Sequence, residues 1–158
     1  MPAESAKPAL EGVTYGLYVI GSKNGDEVNG MTANWLTQVS FEPRMIAVAF
    51  ESAAHTLKNI NASKVFSVNL IAEEDTNLIE KFVAPQERAG NKLGDVDFRT
   101  GDTGCPILDR ALAWIECEVV ESVMTGDHQL VIGRVVNGGQ NREGTPLTLL
   151  AMGWSYGE

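Results

Sequence analysis

The stretch Asn29–Pro43, NGMTANWLTQVSFEP, constrains this chain more than any other. Treated as extended backbone, it separates by period-two alternation into two faces. Thr32, Asn34, Gln38 and Ser40 share one face with Leu36, while Met31, Ala33, Trp35, Val39 and Phe41 share the other. No charged residue falls between Asn29 and Phe41. A strand against bulk water ordinarily carries charge on its wet side, whereas this one presents neutral groups that donate and accept. Such a ladder suits a flat heterocycle with polar edges. It equally suits a strand whose Thr, Asn, Gln and Ser face solvent.

The totals narrow the partners. A chain of 158 residues, 44% hydrophobic and 21% charged, is the size and composition of one globular domain. Its formal charge of −9 excludes a nucleic-acid partner and an anionic membrane surface, because no basic cluster exists to neutralise phosphates. An anionic cofactor needs local capture by backbone N–H groups or one nearby cation. Cys105 and Cys117 lack metal-ligand spacing; the first precedes Pro106 in a loop and the second lies in an apolar run as a buried thiol. No apolar stretch approaches the roughly 20 residues of a membrane span. Residues 1–10 (MPAESAKPAL) read as a flexible arm without the apolar core of a secretory signal, and 11–158 as a single domain. A cytoplasmic location is the default expectation.

Aromatic and β-branched residues predict a strand over 14–20, and Asn24-Gly25 marks a hairpin turn leading back into the polar ladder. Further strands are predicted over 45–50, 65–71, 110–124, 128–136 and 147–152. Ser52 reads as the N-cap of a short helix that includes Leu57 and Ile60, and 73–83 as a second helix. The glycine- and proline-rich segment 84–106 reads as a long loop, either a lid or a passive excursion. Strands outnumber helices and the links are too brief for βαβ crossovers. The expected fold is mainly β, an antiparallel barrel with short appended helices.

Chemistry is concentrated at a few points. The helix start ESAAHT supplies unpaired backbone N–H groups, the hydroxyls of Ser52 and Thr56, His55, and two alanines that let a ligand approach. It is a candidate phosphate cradle, although an ordinary capped helix accounts for Ser52 as well. His128 opens a strand directly after Gly126-Asp127, a position suited to a pocket mouth or to a surface turn. The two histidines form no metal site. No nucleophile elbow and no glycine-rich nucleotide fingerprint occurs.

Four segments in order, GLYVIGSKNGDEVNGMTANWLTQVSFEP (16–43), FSVNL (66–70), LAWIECEV (112–119) and GDHQLVIGRV (126–135), make the chain resemble the flavin reductase-like, FMN-binding split-barrel proteins. The resemblance implies an antiparallel split β-barrel, a homodimer, bound FMN or alternatively FAD, and NADH or NADPH as electron donor. It implies that Thr32, Ala33, Asn34 and Trp35 face the flavin, with Asn34 in place of the commoner Ser. Gln38, again replacing a Ser, and Ser40 match the next flavin-contacting positions, and Ser52, His55 and Thr56 match the phosphate region. His128 matches a Gly-Asp-His motif beside the nicotinamide side of the ring. Arg44 stands where a second proline is common. Three readings fit the resemblance: an NAD(P)H-dependent flavin reductase serving a monooxygenase or reducing ferric complexes, a flavoredoxin-like carrier reduced by a partner protein, and a non-catalytic flavin-binding module.

Overall fold

The computed structural model describes residues 2–156. Strands β1 (Tyr18–Asn24) and β2 (Glu27–Ala33) form the expected hairpin, turning at Gly25, whose φ of +60° a side chain would resist. Strands β3 (Leu36–Phe41) and β4 (Arg44–Glu51) form the next hairpin. Helix α3 (His55–Ser63), β5 (Val65–Leu70) and helix α4 (Thr76–Lys81) follow. The long strands β10 (Ala113–Met124) and β11 (His128–Gln140) complete one seven-stranded antiparallel sheet in the order β2-β1-β5-β10-β11-β4-β3.

That order forces the sheet to close. β2 and β3 occupy its opposite edges, yet only Asn34 and Trp35 separate them in sequence. Six strand spacings laid flat would place the edges about 29 Å apart. Three steps of extended chain reach about 11 Å. The sheet therefore curls until its edges nearly meet, leaving a seam at Asn34–Trp35. Beside the seam the Ala49 N–H of β4 donates to the Trp35 carbonyl (3.0 Å), extending the β3–β4 ladder, and the Thr32 N–H on the β2 edge donates to the Phe82 carbonyl just after α4 (3.0 Å).

Both sides of the sheet are buried, as alternation along β1 shows. Ile20 points into the barrel with Phe66, Val68, Val131 and Phe50, where α3 adds Leu57 and Ile60. Its neighbour Val19 points outward, against Leu78, Ile79 and Phe82 of the α4 region and against Leu93, Phe98 and Leu108. Each fully buried side chain of this size contributes roughly 1.5–3 kcal/mol. A Cβ on Gly133 would lie 2.6 Å from the Phe66 ring and 2.8 Å from Cys117 Cβ, so only glycine fits there.

Several predicted elements differ. Residues 2–11 carry two short helices, α1 (Pro2–Ser5) and α2 (Lys7–Glu11), with residues 3–11 exposed. Segment 84–106 contributes to a second sheet of short strands, β6 (Arg88–Ala89), β7 (Lys92–Leu93), β8 (Val96–Thr100) and β9 (Pro106–Leu108). Residues 147–152 are no strand: isolated bridges at Pro146 and Thr148 lead into a turn. The single extended ladder is two strands, broken at Asn34–Trp35.

Glu116 is fully buried on β10 and holds the 101–104 turn in place. Its carboxylate accepts the N–H groups of Asp102 (3.0 Å) and Thr103 (2.9 Å), the Thr103 hydroxyl (2.6 Å) and the Asn137 amide (3.0 Å).

Candidate functional site

The break between β2 and β3 removes the strict alternation there, so consecutive residues share one cavity. Thr32, Ala33, Asn34 and Trp35 form one wall of a space of about 280 Å³, whose other lining includes Glu51 at the end of β4, Ala54 before α3, Val83, His128 and Tyr156. Asn34 Nδ2 and Trp35 Nε1 are both buried and without a hydrogen-bond partner. A stranded donor costs about 1–3 kcal/mol, so this wall carries a deficit that a ligand's acceptors would relieve. The Thr32 hydroxyl, by contrast, is spent on the Ile79 carbonyl (2.7 Å).

His128 lies opposite Glu51 in the β4–β11 ladder, only 8% exposed. Its ring centroid is 4.6 Å from that of Trp35. Its Nδ1–H donates to the Asp127 carboxylate at 2.6 Å, and this hydrogen bond is the main reason the exposed Asp127 carboxyl sits below its usual range. The turn beneath is fixed from two directions. Thr125 donates its N–H (2.9 Å) and its hydroxyl (3.0 Å) to the His128 carbonyl. Ser52 donates its N–H (3.0 Å) and hydroxyl (2.9 Å) to the Asp127 carbonyl.

Ser52 is therefore not the helix cap. Helix α3 starts at His55 with Ala54 as its N-cap, and no side chain caps it. Its first-turn N–H groups are left without a side-chain acceptor at the tip, and Ala54 lies in the cavity wall. Thr56 is buried and 2% exposed, so its hydroxyl is not on the open face. His55 pairs through Nε2 with Glu27, whose carboxyl that hydrogen bond pulls below its usual range. The pair borders a neighbouring cleft of about 540 Å³ that also holds Asp26, Glu87 and Arg88.

The structure thus brings Thr32, Ala33, Asn34, Trp35 and His128 together and leaves five predicted residues outside: Ser52, His55 and Thr56 beside the helix start, and Gln38 and Ser40 on β3. Gln38 and Ser40 stand at a bulge in β3, where the Gln38 amide donates to the Ser40 carbonyl (3.1 Å). Gln38 borders a different, apolar cleft with Tyr18, Met45 and Trp114. Sequence reasoning missed Glu51, Val83 and Tyr156. Glu51 could have been found as the last residue of its strand; Tyr156 reaches the site only through the tertiary fold.

These features fit a flavin: unpaired neutral donors beside small residues, next to an uncapped helix tip. Among the described residues no three His, Cys, Asp or Glu gather into a metal-binding group, and no helix is long and apolar enough to cross a membrane.

An antiparallel sheet curled to a seam, with its cavity on that seam, defines the split-barrel class. The profile of the flavin reductase like domain matches residues 10–156, and the chain belongs to this family. It is 33% identical over 142 residues to the high molecular weight rubredoxin of Moorella thermoacetica (strain ATCC 39073 / JCM 9320), covering 89% of this chain and 62% of that protein. It is 32% identical over 106 residues to a probable flavin reductase of Rhizobium meliloti (strain 1021), covering 67% of this chain and 33% of that protein. The chain thus spans less than two thirds of either relative's length. Among solved structures it matches flavin reductase PheA2 in its native state at a TM-score of 0.82 and 32% identity, over 100% of this chain and 99% of that one.

Proposed function

We propose that this chain binds FMN at the β2–β3 seam and that a reduced nicotinamide, NADH or NADPH, delivers hydride there. The observation that carries this reading is the pair of buried donors, Asn34 Nδ2 and Trp35 Nε1, with no acceptor of their own. A bound flavin supplies the two-electron chemistry, and the protein supplies position and electrostatics. Asn34 and Trp35 give their N–H groups to the ring's acceptor edge. Ala33 and Ala54 leave room for it, and the uncapped start of α3 receives the phosphate. His128, fixed by Asp127 and by Trp35, borders the approach of the nicotinamide and limits its poses. FMN is favoured over FAD because the adjacent cleft carries Asp26, Glu27 and Glu87, which repel a second phosphate.

The chain works as a homodimer. The apolar cleft formed by Tyr18, Leu36, Met45, Leu70 and Trp114, together with Phe41 at 86% exposure, is the surface a second copy covers. Reduced flavin then serves a monooxygenase. A second reading, an electron carrier reduced by a partner protein, is favoured by the similarity to the rubredoxin over 89% of the chain.

An absorption spectrum of the purified chain with added FMN or FAD, followed by NADH and NADPH without oxygen, separates these readings. Bleaching by either nucleotide supports the reductase. Bound flavin that stays oxidised with both supports the carrier. Failure to bind FMN and FAD ends both.

A further inference from the structure

We propose that Glu51 is a catalytic residue of the hydride step: its unpaired carboxylate meets the nicotinamide and stabilises the positive charge that develops there as hydride leaves. The inference rests on the flavin reading above and adds a residue and a sign of charge to it.

The seam cavity is electrically lopsided. One wall carries the buried donors Asn34 Nδ2 and Trp35 Nε1, which have no acceptor. Among the described residues that line the cavity, Glu51 is the one carboxylate, and no Lys or Arg joins it. Glu51 is exposed, and among the described residues its carboxylate has neither a hydrogen-bond nor an ion-pair partner.

Register fixes where this charge stands. Glu51 closes β4 directly opposite His128, the first residue of β11. Residues opposed in this way in an antiparallel pair hold their Cβ atoms about 5 Å apart on one face. The carboxylate therefore stands beside the imidazole that borders the nicotinamide approach, whereas the stranded N–H groups belong to the seam.

Hydride transfer separates charge between two rings. The C4–H bond of the dihydronicotinamide breaks, and the hydrogen passes to the flavin with both bonding electrons. The nicotinamide, now oxidised, is left as a pyridinium cation, and the reduced flavin takes up the negative charge. Fixed groups aimed at developing charge lower such a barrier. N–H donors suit the ring that gains electrons, and a carboxylate, which only accepts, suits the ring that loses them. That division gives Asn34 and Trp35 to the flavin and Glu51 to the donor.

Glu51→Gln and Glu51→Asp test this in the FMN-loaded chain. NMR titration with nicotinamide and with 1-methylnicotinamide, a neutral and a cationic ring, reads the field of the site without turnover. Wild type should hold the cation about tenfold more tightly than the neutral ring, Glu51→Asp should keep most of that preference, and Glu51→Gln should lose it. In stopped flow with saturating NADH or NADPH and no oxygen, FMN in Glu51→Gln should be reduced about tenfold more slowly. That is less than the roughly 10²–10³-fold loss of an oxyanion-hole donor, because water and salt screen an exposed charge. The sign is diagnostic: a carboxylate acting only on the flavin would oppose its gain of electrons, and Glu51→Gln would then be reduced faster. Faster or unchanged reduction, or a cation preference that survives in Glu51→Gln, overturns the role of Glu51 and leaves the flavin site standing. Failure of wild type to bind FMN and FAD, or bound flavin that stays oxidised with both nucleotides, overturns the reading beneath it and this inference together.

Discussion

Trp35 and His128 face each other across the barrel seam, their ring centroids 4.6 Å apart and their planes tilted by 44°. One belongs to the link between the edge strands and the other opens β11, so the contact couples the cavity wall to the Asp127 turn. Removing the imidazole forfeits about 0.5–1.5 kcal/mol of ring contact without removing the Asn34 and Trp35 donors. His128→Ala should therefore bind FMN within a few-fold of wild type. Its reduction by NADH or NADPH in stopped flow should be slower by about tenfold or more, the scale of a misplaced reactant. Reduction at the wild-type rate would remove His128 from the nicotinamide approach.

Glu116 makes stability depend on pH in a stated direction. Burial, the largest single influence, pushes its carboxyl up; the hydrogen bonds from Thr103, Asn137 and Asp102 outweigh it and leave the group below its usual 4.5. A carboxyl depressed in the folded state stabilises fully above its unfolded value and loses that contribution as pH falls through the folded one. Melting temperature should fall as pH drops below about 4.5 in wild type. In Glu116→Gln that portion of the acid dependence should vanish. The variant should also be weaker at neutral pH, because an amide cannot accept from both Asp102 and Thr103, and each stranded donor costs about 1–3 kcal/mol.

Much of the barrel was legible because it is local. Asn24-Gly25 and the alternation around it specify the β1–β2 hairpin, β4 holds the continuous apolar run MIAVAF, and β5 and β11 are rich in β-branched residues. The seam was not legible, since a two-residue interruption between polar strands becomes meaningful only when sheet order puts β2 and β3 on opposite edges. Ser52 misled for a related reason. Its hydroxyl was assigned to the helix beside it, but the Asp127 carbonyl, 75 residues away, claims it. The strands of two to five residues within 84–106 are too short to show a period. In the site, Thr32 and Asn34 were readable as part of a polar ladder, whereas the contact of Tyr156 with Trp35 exists only in three dimensions.

Gly133 tests the packing of the barrel independently of any ligand. A methyl there meets Phe66 and Cys117 below 3 Å, and neither is free to withdraw from the filled interior. Gly133→Ala should cost about 1–3 kcal/mol in denaturant unfolding, the range for overpacked cores. An unchanged midpoint would mean that the interior is looser than these contacts indicate.

The central claim is that stranded donors on the seam hold the flavin, and it is tested most directly by titrating FMN against Asn34→Leu. Leucine keeps the approximate shape and removes the unsatisfied N–H groups, so the unliganded chain should be as stable as wild type or more so. Its affinity for FMN should nevertheless fall, by about tenfold for a loss near 1.4 kcal/mol. Weaker binding by a chain that is no less stable is the predicted result; wild-type affinity in Asn34→Leu would contradict the account.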